Sequence, residues 1–180
     1  MTTNPMRVMR RAASAVLVAA SALPAVASGQ TWTGVLSGQG AVPASESSAS
    51  STVTLTLSGT TLLVQMSWQD LMRFPQSLLL FASPPQHGAD RSAVALGLRG
   101  FSPTQSGSHS ELINLTEASA YAGNFLRAHG GRAEAARAAL VAALDSGYFA
   151  IVTQPGSRIE LGAPLAKVHL VRGTSSPDGR

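Results

Sequence analysis

The chain has 180 residues, the size of one domain, and contains no cysteine. The lack of cysteine excludes disulfides, thiolate metal sites, a cysteine nucleophile and a lipoprotein anchor. The formal net charge is +4, but three of the basic residues, Arg7, Arg10 and Arg11, lie in a segment with the features of an export signal. Without them, ten basic and nine acidic residues leave a net charge of +1 and no basic patch, so we predict no nucleic-acid partner.

The first 27 residues have the pattern of a bacterial signal peptide. After the basic start, residues 12–23 are an uncharged apolar run, and Ala25-Val26-Ala27 has the small-x-small pattern of a cleavage site. We therefore predict cleavage after Ala27 and an exported protein, periplasmic or secreted. The run is much shorter than the roughly 20 residues of a membrane-spanning helix, so no stable membrane anchor is expected after cleavage. The Arg10-Arg11 pair leaves open whether export is general secretory or twin-arginine.

Two neighbouring stretches, 51–58 and 61–68, alternate between apolar and polar residues. This period of two predicts half-buried antiparallel strands, and Gly59-Thr60 between them permits a tight hairpin turn. The residues predicted to face the core are Val53, Leu55, Leu57, Leu62, Val64, Met66 and Trp68.

Other strands are predicted on both sides of this hairpin. The run 77–83 is apolar on both faces, which suits a central strand covered on both sides, although so short a run could also begin a helix. A strand, a Pro155-Gly156 turn and a second strand are predicted over 146–165. Residues 165–172 alternate again, with Ala166, Val168 and Leu170 on the apolar face. The remaining predicted strands are 31–38, 92–98 and 109–115.

Between residues 116 and 147 the pattern becomes helical. Thr116 is predicted as a helix N-cap, and Glu117 favours the first turn through the helix dipole. Gly130-Gly131 should break this helix. An alanine-rich second helix is predicted over 132–145, and it should end before Gly147.

The first predicted helix carries Tyr121 and Phe125 four residues apart on one face, with Leu126 beside them. Two interpretations are open. These residues either pack the helix onto a sheet, or they form an exposed aromatic patch that anchors a partner.

Together these elements predict a mainly β protein. The expected fold is an antiparallel β-sandwich, immunoglobulin-like or superoxide-dismutase-like, with seven to nine short strands and a helical insertion at about 117–145. The predicted organisation is a signal peptide at 1–27, a single sandwich domain at 28–172 and a disordered tail at 173–180.

Several stretches resemble the chordin-type (CHRD) domain. Trp32-Thr33-Gly34-Val35-Leu36-Ser37-Gly38, followed by Val42-Pro43, is similar to that family's opening, an aromatic residue, x-Ala-x-Leu-Ser-Gly and then Glu-Val-Pro-Pro. Leu140-x-x-x-Leu144-x-x-Gly147-Tyr148, followed by Val152-Thr153, is similar to its closing motif, Leu-x-x-Gly-x-Tyr-Val-Asn-Val-His-Thr. Pro155-Gly156-Ser157-Arg158-Ile159-Glu160 stands where the family has Pro-x-Gly-Glu-Ile-Arg-Gly. The resemblance spans roughly residues 31–165 and implies a CHRD-like sandwich with a lengthened helical segment.

The sequence departs from that family at charged and histidine positions. Ala41 replaces the Glu before Val-Pro, residues 78–82 lack the histidines of the family's Ala-His-Ile-His strand, and Val152 aligns with the closing histidine. The family's Glu-Ile-Arg appears as Arg158-Ile159-Glu160, an exchange that would still allow a cross-strand ion pair. The departures imply a member without a histidine-dependent function. We therefore predict no catalytic, cofactor-binding or metal-binding residues.

The histidines, acids and serines show no catalytic spacing. None of the histidines falls in an HxH, HxxH or HExxH pattern, so we interpret all four as solvated surface residues. The scattered acids would form a hydrolytic pair only through an accident of the fold. Ser108-His109-Ser110 lacks the glycine frame of a nucleophile elbow. The residues considered are His87, His109, His129, His169, Glu46, Asp70, Asp90 and Glu111.

The sequence therefore predicts a non-catalytic exported binding or interaction module, without a cofactor, for an unknown protein or extracellular ligand. The alternative is a metal-dependent enzyme of the superoxide-dismutase type, which is another sandwich that carries histidines. The absence of clustered histidines argues against it, and the oligomeric state is left open.

Overall fold

The computed structural model describes residues 29–85, 93–154 and 158–169. The predicted signal peptide, the Pro155-Gly156 turn and the predicted tail lie outside these ranges. The described residues form nine strands and two α-helices, with 3-10 turns at Ala118–Ala120 and Leu144–Ser146. The strands are β1 Gln30–Ser37, β2 Ser50–Ser58, β3 Thr61–Gln69, β4 Ser77–Phe81, β5 Val94–Leu98, β6 Gly107–Asn114, β7 Tyr148–Gln154, β8 Arg158–Pro164 and β9 Ala166–Val168, and the helices are α1 Gly123–Ala128 and α2 Ala133–Ala143.

The strands pair in the order β5-β4-β7-β8-β1-β2-β3-β6, and β9 pairs with β1. Every pair is antiparallel. The sheet curls until it is nearly closed around one large apolar core, and a small helical part follows β6. The predicted fold class, a mainly antiparallel β-sandwich with a helical segment, is confirmed.

The predicted hairpin is confirmed as β2 and β3. Leu55 lies opposite Val64, and Val53 lies opposite Met66, so the apolar residues of both strands share one face. All seven residues predicted to face the core are buried. Gly59 turns the chain at a φ of 59°, a left-handed conformation that glycine adopts without steric cost.

Strand β4 is covered on both faces, as its continuous apolar run predicts. Leu78 and Leu80 belong to the main core, whereas Leu79 and Phe81 belong to a second apolar cluster on the opposite face. Part of that second cluster comes from the β1–β2 connection, through Ala41. The helical alternative for this run is therefore wrong.

The prediction that a helix begins after Thr116 is wrong. The Thr116 backbone N–H and hydroxyl both donate to Asn114 Oδ1, which makes a turn at the end of β6. Residues 121–122 then run along the edge of β5, where Ala122 N donates to Ala95 O at 2.9 Å, so α1 begins only at Gly123. Pairing with this open strand edge overrides the helical preference of the segment. The second helix is confirmed, with its last turn in the 3-10 form before Gly147.

The aromatic residues of the helical segment pack into the core. Tyr121 and Phe125 are buried, and their rings stack with centroids 6.2 Å apart. Leu126 is partly buried against the same core. Of the two interpretations, packing onto the sheet is confirmed and the exposed aromatic patch is wrong.

The prediction for residues 165–172 needs correction. The described part contains only the short strand β9, and residues 170–172 lie outside the described ranges. Ala166 and Val168, predicted to face the core, are exposed. Lys167 lies opposite Trp32 instead, with its ammonium 5.2 Å from the centre of the indole ring, so the aliphatic stem takes the inward position.

Because the strands alternate in direction, three described connections meet at one end of the sandwich. They are 38–49 between β1 and β2, 70–76 between β3 and β4, and 99–106 between β5 and β6. We refer to these three connections as the loop end. None of the helices that the structure describes is long and apolar enough to cross a membrane.

Candidate functional site

The connection 70–76 is fixed at both sides by hydrogen bonds to its backbone. Leu71 N donates to Gln105 O at 3.0 Å, and Gln105 Nε2 donates back to Leu71 O at 2.9 Å and to Met72 O at 3.2 Å. Toward β4, Gln76 N donates to Val152 O at 2.7 Å. These bonds tie the connection to the 99–106 loop on one side and to β7 on the other.

The middle of this connection presents apolar side chains to solvent. Met72 is 54% exposed and Phe74 is 49% exposed, whereas Leu71 next to them is buried. We call Met72 and Phe74 the apolar tip. Together with Pro103 and Thr104 they line one shallow groove. Large apolar side chains held out on a fixed loop are typical of binding surfaces.

A buried carboxylate lies beneath the apolar tip. Glu160, on β8, is 3% exposed, and its Oε1 accepts hydrogen bonds from Met72 N and from the Ser47 hydroxyl, both at 2.8 Å. The Ser45 hydroxyl donates to the Glu160 backbone oxygen at 2.6 Å. One residue thus joins three segments of the loop end, namely β8, the 38–49 connection and the 70–76 connection.

The second carboxylate oxygen of Glu160 has no donor among the described residues. Oε2 is buried without a hydrogen bond, and no described Lys or Arg forms an ion pair with it. Arg158 lies two residues earlier on β8 and is exposed. Arg158 and Glu160 therefore form no ion pair with each other or with another described residue, so the ion pair that the exchanged charges would allow is not seen in this part of the chain. A buried carboxylate is costly unless it is paired, so the bare oxygen needs a chemical explanation.

Glu160 forms part of the wall of a cleft of about 360 Å³. The cleft combines the buried carboxylate with hydroxyl groups, one exposed carboxylate, one guanidinium and an apolar side formed by Met72 and Ile159. This volume suits a small ligand group. The lining residues are Ala44, Ser45, Glu46, Met72, Thr153, Arg158, Ile159 and Glu160.

The histidines do not all behave as solvated surface residues. His109 has a side chain only 9% exposed, with Nε2 3.2 Å from Glu111 Oε2 and its ring edge-on to Phe101. His129 is partly buried, with Nδ1 2.8 Å from Phe125 O. The surface interpretation is wrong for these two histidines. It is confirmed for His169, which is exposed, while His87 lies outside the described residues.

The structure keeps the remaining candidate catalytic residues apart. In the described ranges, no three His, Asp or Glu side chains converge on a point where they could hold a metal ion. Ser108 and Ser110 alternate with His109 along β6, so they point to the opposite face of the sheet. Glu46 lines the Glu160 cleft, Asp70 is exposed, and Asp90 lies outside the described residues.

Sequence reasoning missed Glu160 as a site residue because it was interpreted as half of an ion pair. A signal was available in the run Ile159-Glu160-Leu161-Gly162-Ala163, where a single carboxylate interrupts an otherwise apolar strand. The hydroxyl-rich connection 38–49 supplies its donors, but no spacing rule shows that Ser47 returns to a strand 113 residues later.

Comparisons with family models, curated proteins and solved structures found no match to this chain. The function of the loop end is therefore inferred from its own residues.

Proposed function

We propose that this chain is an exported, non-catalytic binding module of the CHRD type, and that the loop end is its binding surface. The observation that carries the proposal is the apolar tip. Met72 and Phe74 remain exposed although the connection that bears them is fixed by hydrogen bonds with Gln105, Glu160 and Val152.

The energetics favour contact with a partner at this surface. Burying apolar surface releases about 25 cal/mol per Å², so covering two large side chains contributes appreciably to an affinity. A connection that is already fixed loses little conformational freedom on binding, which leaves more of that gain as affinity. Exposed Met and Phe beside a polar rim match the composition of interface centres.

The polar groups beside the tip support binding and not catalysis. The Ser45 and Ser47 hydroxyls donate to Glu160 and serve as structural donors. The three connections of the loop end contain no histidine that could act as a general base for either serine.

A capture experiment tests the proposal. The mature protein is immobilised, exposed to the exported proteins of its own source, cross-linked, and the captured proteins are quantified by mass spectrometry. We expect the double variant M72S/F74S to lose at least about tenfold of the specific capture, as hot-spot residues do.

The matched control is V35S/L112S, because Val35 and Leu112 are each 71% exposed but lie on β1 and β6, outside the three connections of the loop end. Both double variants should keep the wild-type unfolding midpoint, since surface substitutions usually change stability by less than about 0.5 kcal/mol. Equal capture by the wild type and M72S/F74S, or an equal loss in the control, would refute the loop end as the binding surface.

A further inference from the structure

One carboxylate oxygen of Glu160, Oε2, accepts no hydrogen bond from the described part of the fold. Its Oε1 is saturated by Met72 N and the Ser47 hydroxyl, whereas Oε2 is buried with no described donor. Both described donors bond to Oε1 and so fix the orientation of the carboxylate. Oε2 remains able to accept hydrogen bonds from a ligand. A carboxylate oxygen accepts hydrogen bonds and attracts positive charge.

The other groups that line the cleft restrict the kinds of ligand that can bind there. The lining contains two carboxylates, Glu160 and Glu46, against one guanidinium, Arg158, a net charge of −1. Arg158 is exposed at the rim and can point into solvent. Met72 and Ile159 add an apolar side next to the carboxylate. A group that fits carries positive charge, N–H donors and a short apolar stem.

We infer that this cleft binds an ammonium group on an aliphatic stem, with Glu160 Oε2 as its acceptor and Met72 against the stem. The inference rests on the proposed function and names the ligand chemistry of that surface. The same chemistry is offered by a free alkylamine and by a lysine side chain of a partner protein. Oε2 is itself buried, so binding requires part of the cleft wall to move aside, and Met72 is an exposed, unbranched part of that wall.

A metal ion fits this cleft less well. Calcium takes six to eight oxygen ligands, commonly with several carboxylates, and zinc takes three or four converging ligands. The described residues contain no such cluster. A single buried carboxylate suits one hydrogen-bonding cation instead.

The test uses the purified mature protein and n-butylammonium chloride, followed by calorimetry and by chemical-shift changes of the loop-end amides. Tetramethylammonium chloride at the same concentration matches charge and ionic strength but has no N–H. We expect butylammonium to bind and tetramethylammonium to bind at least about tenfold more weakly, the ratio for loss of a hydrogen bond to a charged group.

The second arm of the test uses the variant E160Q. In this variant the amide oxygen still accepts hydrogen bonds from Ser47 and Met72, while an NH2 group replaces Oε2. We expect at least about a tenfold loss of butylammonium affinity in E160Q. The control E134Q removes an exposed carboxylate of α2 that does not line the cleft, and it should change affinity by less than about threefold. If E160Q fails to fold, the comparison of butylammonium with tetramethylammonium on the wild-type protein still tests the inference.

A third arm separates the two sources of the ammonium group. N-acetyl-lysine methylamide is compared with its Nε-acetylated form and with butylammonium. Tighter binding of the free lysine derivative than of butylammonium indicates a protein lysine, and the reverse order indicates a small amine.

The inference is overturned if butylammonium fails to bind the wild type, if E160Q binds it equally, or if calcium chloride binds where butylammonium does not. These readouts use no partner protein. Loss of capture by M72S/F74S together with no butylammonium binding would therefore leave the proposed function standing and remove only the ammonium site.

Discussion

The indole N–H of Trp32 donates a 2.7 Å hydrogen bond to Asp145 Oδ1, across 113 residues of sequence. Trp32 is fully buried on β1, and Asp145 lies in the 3-10 turn that ends the helical segment. Lys167 on β9 places its Nζ 3.4 Å from the same carboxylate oxygen. The three residues fasten the end of the helical segment to the two strands it passes.

This relationship gives a pH-dependent stability. The hydrogen bond from Trp32, together with the nearby charge of Lys167, lowers the pKa of Asp145 below its ordinary value of 3.8. Because the folded-state pKa is depressed, the carboxylate stabilises the fold above the ordinary pKa, and that contribution disappears as the pH falls through the folded-state value. We expect D145N to be less stable than the wild type at neutral pH in urea titrations, with the difference shrinking below about pH 4.

The matched control is E134Q, which breaks the exposed Arg132–Glu134 pair, whose charged atoms are 3.5 Å apart. Exposed pairs contribute about 0–1 kcal/mol, so this variant should follow the wild type at every pH. A D145N deficit that persists unchanged at acid pH would contradict a role for the charge.

The hairpin gives a second prediction. Leu55 is fully buried, whereas Thr54 next to it on β2 points to the other face and is only partly buried. L55A should lower the free energy of unfolding by about 2–5 kcal/mol, the usual cost of a core truncation. T54A should cost less than about 1 kcal/mol. Equal losses in a denaturant titration would mean that the two faces of β2 were assigned incorrectly.

Gly162 gives a third prediction, because its missing side chain makes room for Tyr148. A Cβ atom at this position would overlap the Tyr148 phenol oxygen, which donates to Gly40 O at 2.5 Å. We expect G162A to cost about 1–3 kcal/mol through overpacking and the displaced hydrogen bond. The control is G97A, where the nearest atom would be a Leu79 methyl at 3.7 Å. If G162A matches G97A in stability, the Tyr148 contact is not a constraint.

The same tyrosine predicts a limit at alkaline pH. Burial raises the pKa of Tyr148 to about 12, against an ordinary value of 10.0, and burial also raises the pKa of Tyr121. A raised folded-state pKa means that the neutral phenol stabilises the fold below pH 10, and that this contribution is lost as the pH rises toward 12. These are the only two tyrosines in the chain, so tyrosinate absorbance in the folded protein should lag behind that of the urea-unfolded protein. Y148F should lose less stability between neutral and alkaline pH than the wild type does.

The fold could be predicted largely from local patterns, because alternation and continuous apolar runs report directly on burial. Leu55 faces the core as the alternating pattern of β2 predicts, and Leu80 is buried as the continuous apolar run of β4 predicts. The start of α1 could not be predicted, since the edge of β5 recruits Tyr121 and Ala122 into an extended conformation through a long-range contact. The orientation of Lys167 could not be predicted either, because this side chain lies against the indole of Trp32, which is far away in the sequence.

The candidate site was less predictable than the fold. Glu160 depends on Ser47 and Met72, two residues on separate connections that only the folded topology brings to one carboxylate. Met72 and Phe74 lie in a loop with no distinctive sequence pattern, and the hydrogen bonds from Gln105 to Leu71 O and Met72 O that fix this loop come from a different connection.

The β1–β2 connection acts as an extra layer of the sandwich. Its Ala41 covers the second apolar cluster, its Gly40 lies directly against Gly162, and Ser47 reaches Glu160. Its length and small residues are therefore constrained as tightly as those of a strand. Substitutions that change the surface of this end without disturbing that layer are therefore expected at exposed side chains such as Met72 and Phe74.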